Sequence, residues 1–202
     1  MQHACARDNV WQNSPMYSFD ADTGRVPEAR RLDSPNCDAR PGDCAPELIV
    51  VHGISLPPNE FGGSWIDQLF TNTLDRDAHP YFREIADLEV SAHFLIRRDG
   101  ELVQFVPVTQ RAWHAGQSDH CGRECCNDFS IGIELEGADH VPYEDVQYRN
   151  LAALIDTLRL AVSSLAEADI VGHSDIAPGR KTDPGPAFDW PHLRGLLERR
   201  GR

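Results

Sequence analysis

The stretch SAHFLIRRDGELVQFVP, residues 91–107, holds two β-type runs on either side of Asp99-Gly100. Asp-Gly between such runs is a strong hairpin signal, because its backbone accepts the positive φ of a tight turn. A hairpin is only marginally stable in water, so the rest of the chain must supply further strands and a covering layer. ELIVVHGI and FSIGIELEG read as two more strands, short, apolar and rich in β-branched residues. EDVQYRNLAALIDTLRLAVSSL places Val146, Leu151, Leu154, Ile155, Leu158 and Val162 at helical spacing, which predicts a long amphipathic helix. ADIVGH predicts another strand, ending at His173. FDWPHLRGLLERR predicts a closing helix that starts near Asp189 with Pro191 in its first turn. SWIDQLFTN predicts a short helix with Ser64 as N-cap. Strands, a hairpin and interleaved helices in this order predict a single α/β domain, a mixed central β-sheet covered by helices.

A chain of 202 residues is the size of one domain. Residues 1–29 are polar and aperiodic and are expected to form an extension, poorly ordered or wrapped on the surface, with the folded domain at 30–202. The formal charge of −13 argues against a nucleic-acid partner and against adhesion to an anionic membrane. No apolar run approaches the ~18 residues that a membrane helix needs. The N-terminus lacks the basic and apolar regions of a secretory leader, so a cytoplasmic protein is expected. For the same reason the six cysteines are expected to be reduced thiols. CGRECC invites a metal reading, but Cys121, Cys125 and Cys126 have no second pair at zinc-site spacing.

Three groups of metal-ligating type stand at or beyond strand ends: His52, His173 and Asp183. Catalytic zinc takes three imidazole or carboxylate ligands and keeps one position open. His173 and Asp183 are ten residues apart, so the intervening SDIAPGRKT must loop back if both bind one ion. Taken singly, a histidine after a strand is more often a hydrogen-bonded structural residue, and Asp183 before Pro184 also suits a turn. Glu134 shares a strand face with Glu136, opposite Ile131, Ile133 and Leu135. Burial there would raise its pKa and fit it for proton transfer; an exposed acidic stripe is the other reading. Lys181 is the only lysine among the 19 fixed positive charges, and it sits two residues before Asp183. An ammonium is a compact point charge suited to a single oxyanion, whereas the neighbouring Arg180 offers a planar fork.

VVHGISLPPNEFGGSWIDQLFT, AHPYF, VSAHFLIRRDGELVQFVP, RAWHAG, CNDFSIGIELEG and GHSDIAPGRKTDPGP followed by FDW occur in this order along the chain. Together they resemble the N-acetylmuramoyl-L-alanine amidase type 2 family, and within it the branch of 1,6-anhydro-N-acetylmuramyl-L-alanine amidases of cell-wall recycling. The resemblance covers about residues 30 to 192. It implies a peptidoglycan-recognition-like α/β fold, a bound Zn2+, and hydrolysis of the amide between the lactyl group of muramic acid and L-alanine. It also implies His52, His173 and Asp183 as zinc ligands, Glu134 as the acid/base and Lys181 as the transition-state stabiliser. Trp113, His114 and Arg123 are expected at the substrate, which would be a small soluble muropeptide met by a monomer. Ala92 stands where distant members carry a tyrosine, in keeping with the branch that uses the glutamate.

Three positions depart from the family pattern, and all concern recognition. Gly53 follows the first histidine where asparagine is frequent, and Glu89 and Cys125 stand where arginines would meet the peptide carboxylates. Two alternatives follow: an amidase of intact peptidoglycan, and an inactive muropeptide-binding module. The missing leader and the charge weigh against the first. The joint presence of three ligands, Glu134 and Lys181 weighs against the second.

Overall fold

The computed structural model describes residues 17–42 and 44–200. Its strands are β1 (Arg30–Arg31), β2 (Cys37–Ala39), β3 (Leu48–Ile54), β4 (Phe94–Ile96), β5 (Leu102–Gln104), β6 (Gln110–Ala112), β7 (Asp119–His120), β8 (Arg123–Glu124), β9 (Ser130–Glu136) and β10 (Asp169–Gly172). The helices are α1 (Trp65–Phe70), α2 (Phe82–Ile85), α3 (Asp145–Ala161), α4 (His173–Ile176) and α5 (Trp190–Arg200). Six strands form the main sheet in the order β1-β5-β4-β9-β3-β10. The expected hairpin is the antiparallel pair β4–β5, and the other pairings in this sheet are parallel.

Strands β3 and β9 lie at the centre and are covered on both faces, which is why they read as continuous apolar runs. On one face Ile49, Val51, Ile131, Ile133 and Leu135 meet Leu151, Leu154, Ile155 and Leu158 of α3 and Leu193 and Leu196 of α5. On the other, Leu95, Val103 and Phe105 pack with Ile66, Leu69 and Phe70 of α1 and Phe82 and Ile85 of α2. The parallel register sets His52 beside Glu134, so both project from the same face at the carboxyl end of the sheet.

Some local expectations change. Ser64 precedes α1 but makes no side-chain cap bond; its hydroxyl accepts from Gln68 Nε2 instead, at 2.9 Å. The turn-rich segment 30–46 also carries β1 and β2, the latter paired antiparallel with β6. Of the polar extension, residues 1–16 lie outside the described residues. Beyond them Tyr17 and Val26 are buried in the core under α3, with the Tyr17 carbonyl accepting from Thr157 Oγ1 at 3.2 Å. The packed body therefore includes residues N-terminal of position 30.

Candidate active site

A cavity of about 490 Å³ opens at the carboxyl ends of β3 and β9. His52, Glu134, His173, Lys181, Asp183, Trp113 and His114 all line it. His52 comes from β3 and Glu134 from β9. His173 opens α4 directly after β10, so the segment that the sequence reads as a loop begins with a short helix. The chain then returns to the site through turns that bond Arg180 N and Lys181 N to the Ala177 carbonyl, at 3.1 and 3.0 Å. Ser174 N donates to the Asp183 carbonyl at 3.0 Å and closes this return.

Three lone-pair atoms converge. His52 Nδ1 lies 3.0 Å from His173 Nδ1 and 3.2 Å from Asp183 Oδ2, and His173 Nδ1 lies 3.1 Å from the same oxygen. The three are the group of metal-ligating type among the described residues. A neutral imidazole has one ring proton. His173 places Nε2 3.1 Å from the Ala115 carbonyl, a pure acceptor, so its proton resides there and Nδ1 is bare. Burial also disfavours a charged ring at His52, holding its pKa down to about 4 against the pull of Asp183. One proton could bridge at most two of the three atoms and would leave the third facing a lone pair. A cation answers all three. A point about 1 Å above their plane lies ~2 Å from each, the range for zinc with nitrogen and carboxylate oxygen. Asp183 Oδ2, shared by the contacts to both rings, is the carboxylate member of the group.

Glu134 stands apart from these three contacts. Its Oε2 is buried with no hydrogen-bond partner. Burial first, and then the charge of Asp183, push its pKa well above the usual value, while Lys181 opposes them. The acidic-stripe reading therefore gives way: the strand is buried on both faces, and Glu134 faces the cavity. Lys181 lines the same cavity, and its ammonium makes no ion pair among the described residues. Arg180 is occupied elsewhere, donating to the carbonyls of Ala115 and Gln117 at 2.6 Å.

The wall beyond the polar groups is apolar, with Leu56, Leu69, Phe70, Ile85, Leu88 and Val90. Trp113 is fixed there by Nε1 donating to Asp38 at 3.2 Å and by its own N–H donating to Ser91 Oγ at 3.0 Å. Asp38 in turn is held by Arg111 at 2.6 Å. His114 lies against His52, with both ring nitrogens within hydrogen-bond distance of protein atoms. Arg123 is not brought to this cavity. It pairs with Glu47 at 2.6 Å and stacks on Phe129, its guanidinium carbon 3.8 Å from the ring centre. Cys125 is also away from the cavity, while Glu89 is exposed between the lining residues Leu88 and Val90.

Sequence reasoning missed Tyr143. Its hydroxyl donates to the Pro184 carbonyl at 2.9 Å and ties the return loop to the segment that leads into α3. A Cβ at Gly53 would stand 2.2 Å from that hydroxyl. The missing side chain at Gly53 is the signal that could have pointed to a close neighbour there.

Residues 42–186 match the family described as N-acetylmuramoyl-L-alanine amidase. The chain belongs to that family. It is 62% identical over 176 residues to the 1,6-anhydro-N-acetylmuramyl-L-alanine amidase AmpD of Salmonella typhimurium (strain SL1344), covering 87% of this chain and 94% of the relative. The crystal structure of a selenomethionine AmpD derivative superposes with a TM-score of 0.85 at 59% identity, covering 89% of this chain and 98% of the other. The amidase AmiD of E. coli, in complex with the substrate anhydro-N-acetylmuramic acid-L-Ala-D-gamma-Glu-L-Lys, superposes with a TM-score of 0.54 at 29% identity, covering 79% of this chain and 60% of the other. In this family the mixed sheet is the scaffold, and the site described above lies where parallel strands end. Among the described residues no helix is long and apolar enough to cross a membrane.

Proposed function

We propose that the chain is a zinc-dependent amidase of peptidoglycan recycling. It cleaves the amide between the lactyl group of 1,6-anhydro-N-acetylmuramic acid and the L-alanine of the stem peptide. It acts in the cytoplasm, as a monomer, on small soluble muropeptides. The observation that carries this reading is the convergence of His52, His173 and Asp183 beside a buried carboxyl, Glu134, and an ammonium, Lys181, that are both unpaired among the described residues, on one cavity. The substrate class rests on the relatives, whose names and bound ligand are those of anhydro-muropeptide amidases.

His52, His173 and Asp183 would hold the zinc, and the set of two imidazoles and one carboxylate with an open side suits a catalytic site. When bound, zinc supplies Lewis acidity and a water of lowered pKa. Glu134 accepts a proton from the attacking water as its oxygen bonds to the lactyl carbonyl carbon. The carbonyl oxygen gains charge, and the Lys181 ammonium stabilises it. Glu134 then returns the proton to the alanine nitrogen as the carbon–nitrogen bond breaks, releasing the lactyl carboxylic acid and the free peptide amine. Trp113 and the apolar wall give the sugar and lactyl methyl a dry surface.

The test is direct. Purified protein is incubated with anhydro-muropeptide or with intact sacculi, with and without chelator, and released peptide is read by mass spectrometry. Chelator-sensitive release from the soluble substrate is expected. Release from neither substrate with zinc present refutes the enzyme, and comparable release from sacculi moves the substrate to the intact wall.

A further inference from the structure

We infer that His114 and Ser130 form a hydrogen-bonded relay that presents the lone pair of His52 to the metal, His114 being a positioning residue. The inference rests on the reading of His52 as a zinc ligand. It starts from the one atom whose role is fixed, the Cys126 carbonyl, which can only accept. Ser130 Oγ lies 2.5 Å from that oxygen, so the serine proton points to it. Ser130 Oγ therefore accepts at its other contact, 3.1 Å from His114 Nε2, and the His114 proton sits on Nε2. His114 Nδ1 is then bare and accepts from His52 Nε2, 2.9 Å away. His52 thus carries its proton on Nε2 and turns an unprotonated Nδ1 toward His173 and Asp183.

Every member of the relay is held in place. Ser130 is fully buried at the start of β9. The His114 backbone N–H and that of Ala115 both donate to Asn127 Oδ1, at 3.1 and 2.7 Å. The half-buried Arg40 side chain donates to the carbonyls of Asn127, Asp128 and Ser130, between 2.9 and 3.2 Å, and fixes the segment that carries these partners. Gly132 leaves room for the ring, since a Cβ there would meet His114 Cγ at 2.4 Å. A metal-bound imidazole whose far nitrogen is engaged in this way is oriented and made more basic. Here the acceptor is a second imidazole, so its own tautomer must be set as well, and Ser130 sets it.

The full-length protein is stripped of metal and titrated with Zn2+ against a chromophoric chelator. Ser130→Ala and His114→Leu are expected to weaken zinc binding by about 10- to 100-fold, the usual cost of losing an outer partner. His114→Gln, whose amide can accept from His52 and donate to Ser130 in the same order, is expected to regain most of the affinity. Nitrogen-15 spectra of the zinc-loaded parent are expected to show His114 protonated at Nε2, and Ser130→Ala to lose that preference. Ser130→Ala removes one oxygen and adds nothing, so it carries the test even where His114→Leu does not fold. Zinc affinity of Ser130→Ala within about twofold of the parent, where a lost outer partner costs tenfold or more, overturns the relay. So does His114 protonated at Nδ1. A parent that binds no zinc, or binds it undiminished after His52→Ala, refutes instead the metal reading beneath it.

Discussion

Glu134 is an ionisable group held where its charge costs the fold. Its raised pKa means that the folded protein favours the protonated form. The stability this contributes is present below the unfolded pKa and is lost as pH rises through the folded one. Metal-free Glu134→Gln is therefore expected to melt higher than the parent near pH 8, with the gain vanishing near pH 4, where both forms are neutral. The same variant should lose turnover, so stability and activity move in opposite directions. A melting curve unchanged at every pH would show that the carboxyl is solvated. Lys181 gives a second prediction at this scale. Lys181→Arg keeps the charge but replaces a point by a fork that cannot donate from the same position. It is expected to cost about 10²- to 10³-fold in kcat with zinc retained, read by single-turnover kinetics and metal analysis. Near-normal turnover would show that any cation serves.

The return loop from His173 to Pro184 depends on the helix and strand that flank it. Tyr143, just ahead of α3, holds the loop through the Pro184 carbonyl, and Gly53 at the end of β3 makes room for that hydroxyl. Tyr143→Phe removes one buried hydrogen bond and is expected to cost about 1 kcal/mol, or somewhat more for the carbonyl left unpaired. Gly53→Ala forces a methyl against the hydroxyl and is expected to cost about 1–3 kcal/mol. With the hydroxyl gone, the remaining contacts of that methyl begin at 3.4 Å, an ordinary distance. The double variant is therefore expected to be little less stable than Tyr143→Phe alone, and denaturant melts of all four proteins give the cycle. Strict additivity would mean that the two residues do not meet.

These elements also show what the sequence could and could not convey. The strands β3 and β10, the hairpin and α3 were legible because each is a local pattern of apolar spacing. The metal-ligating types were legible, but their meeting was not, since spacing says nothing of which strands are neighbours. The resemblance supplied that grouping. The internal partners of His114, the turn of Arg180 toward Ala115 and the Tyr143 tether were invisible for the same reason: each joins positions far apart in the chain. Glu134 was ambiguous because alternation identifies its face but not what covers that face.

At the scale of the molecule the charge of −13 sets how substrate arrives. A stem peptide carries carboxylates, and Glu89 is exposed between the cavity-lining residues Leu88 and Val90. Like charges slow the encounter and salt screens them, over about 30 Å at 0.01 M and about 8 Å at 0.15 M. kcat/KM for an anionic stem peptide is therefore expected to rise a few-fold across that range, and Glu89→Arg to raise it at low salt and flatten the slope. A fall with added salt would show that the local field of the cavity outweighs that of the whole surface.

The pairing of β3 with β9 aligns His52 with Glu134. A slip of either strand by one residue would turn its chemistry toward Leu151, Leu154 and Ile155 of α3, because side chains alternate faces. A misaligned chain would have to desolvate an imidazole or a carboxyl in an oily layer that offers no partner. The reactive groups thus act as proofreaders of assembly: an incorrectly zipped sheet is penalised by the residues that give the correct one its work.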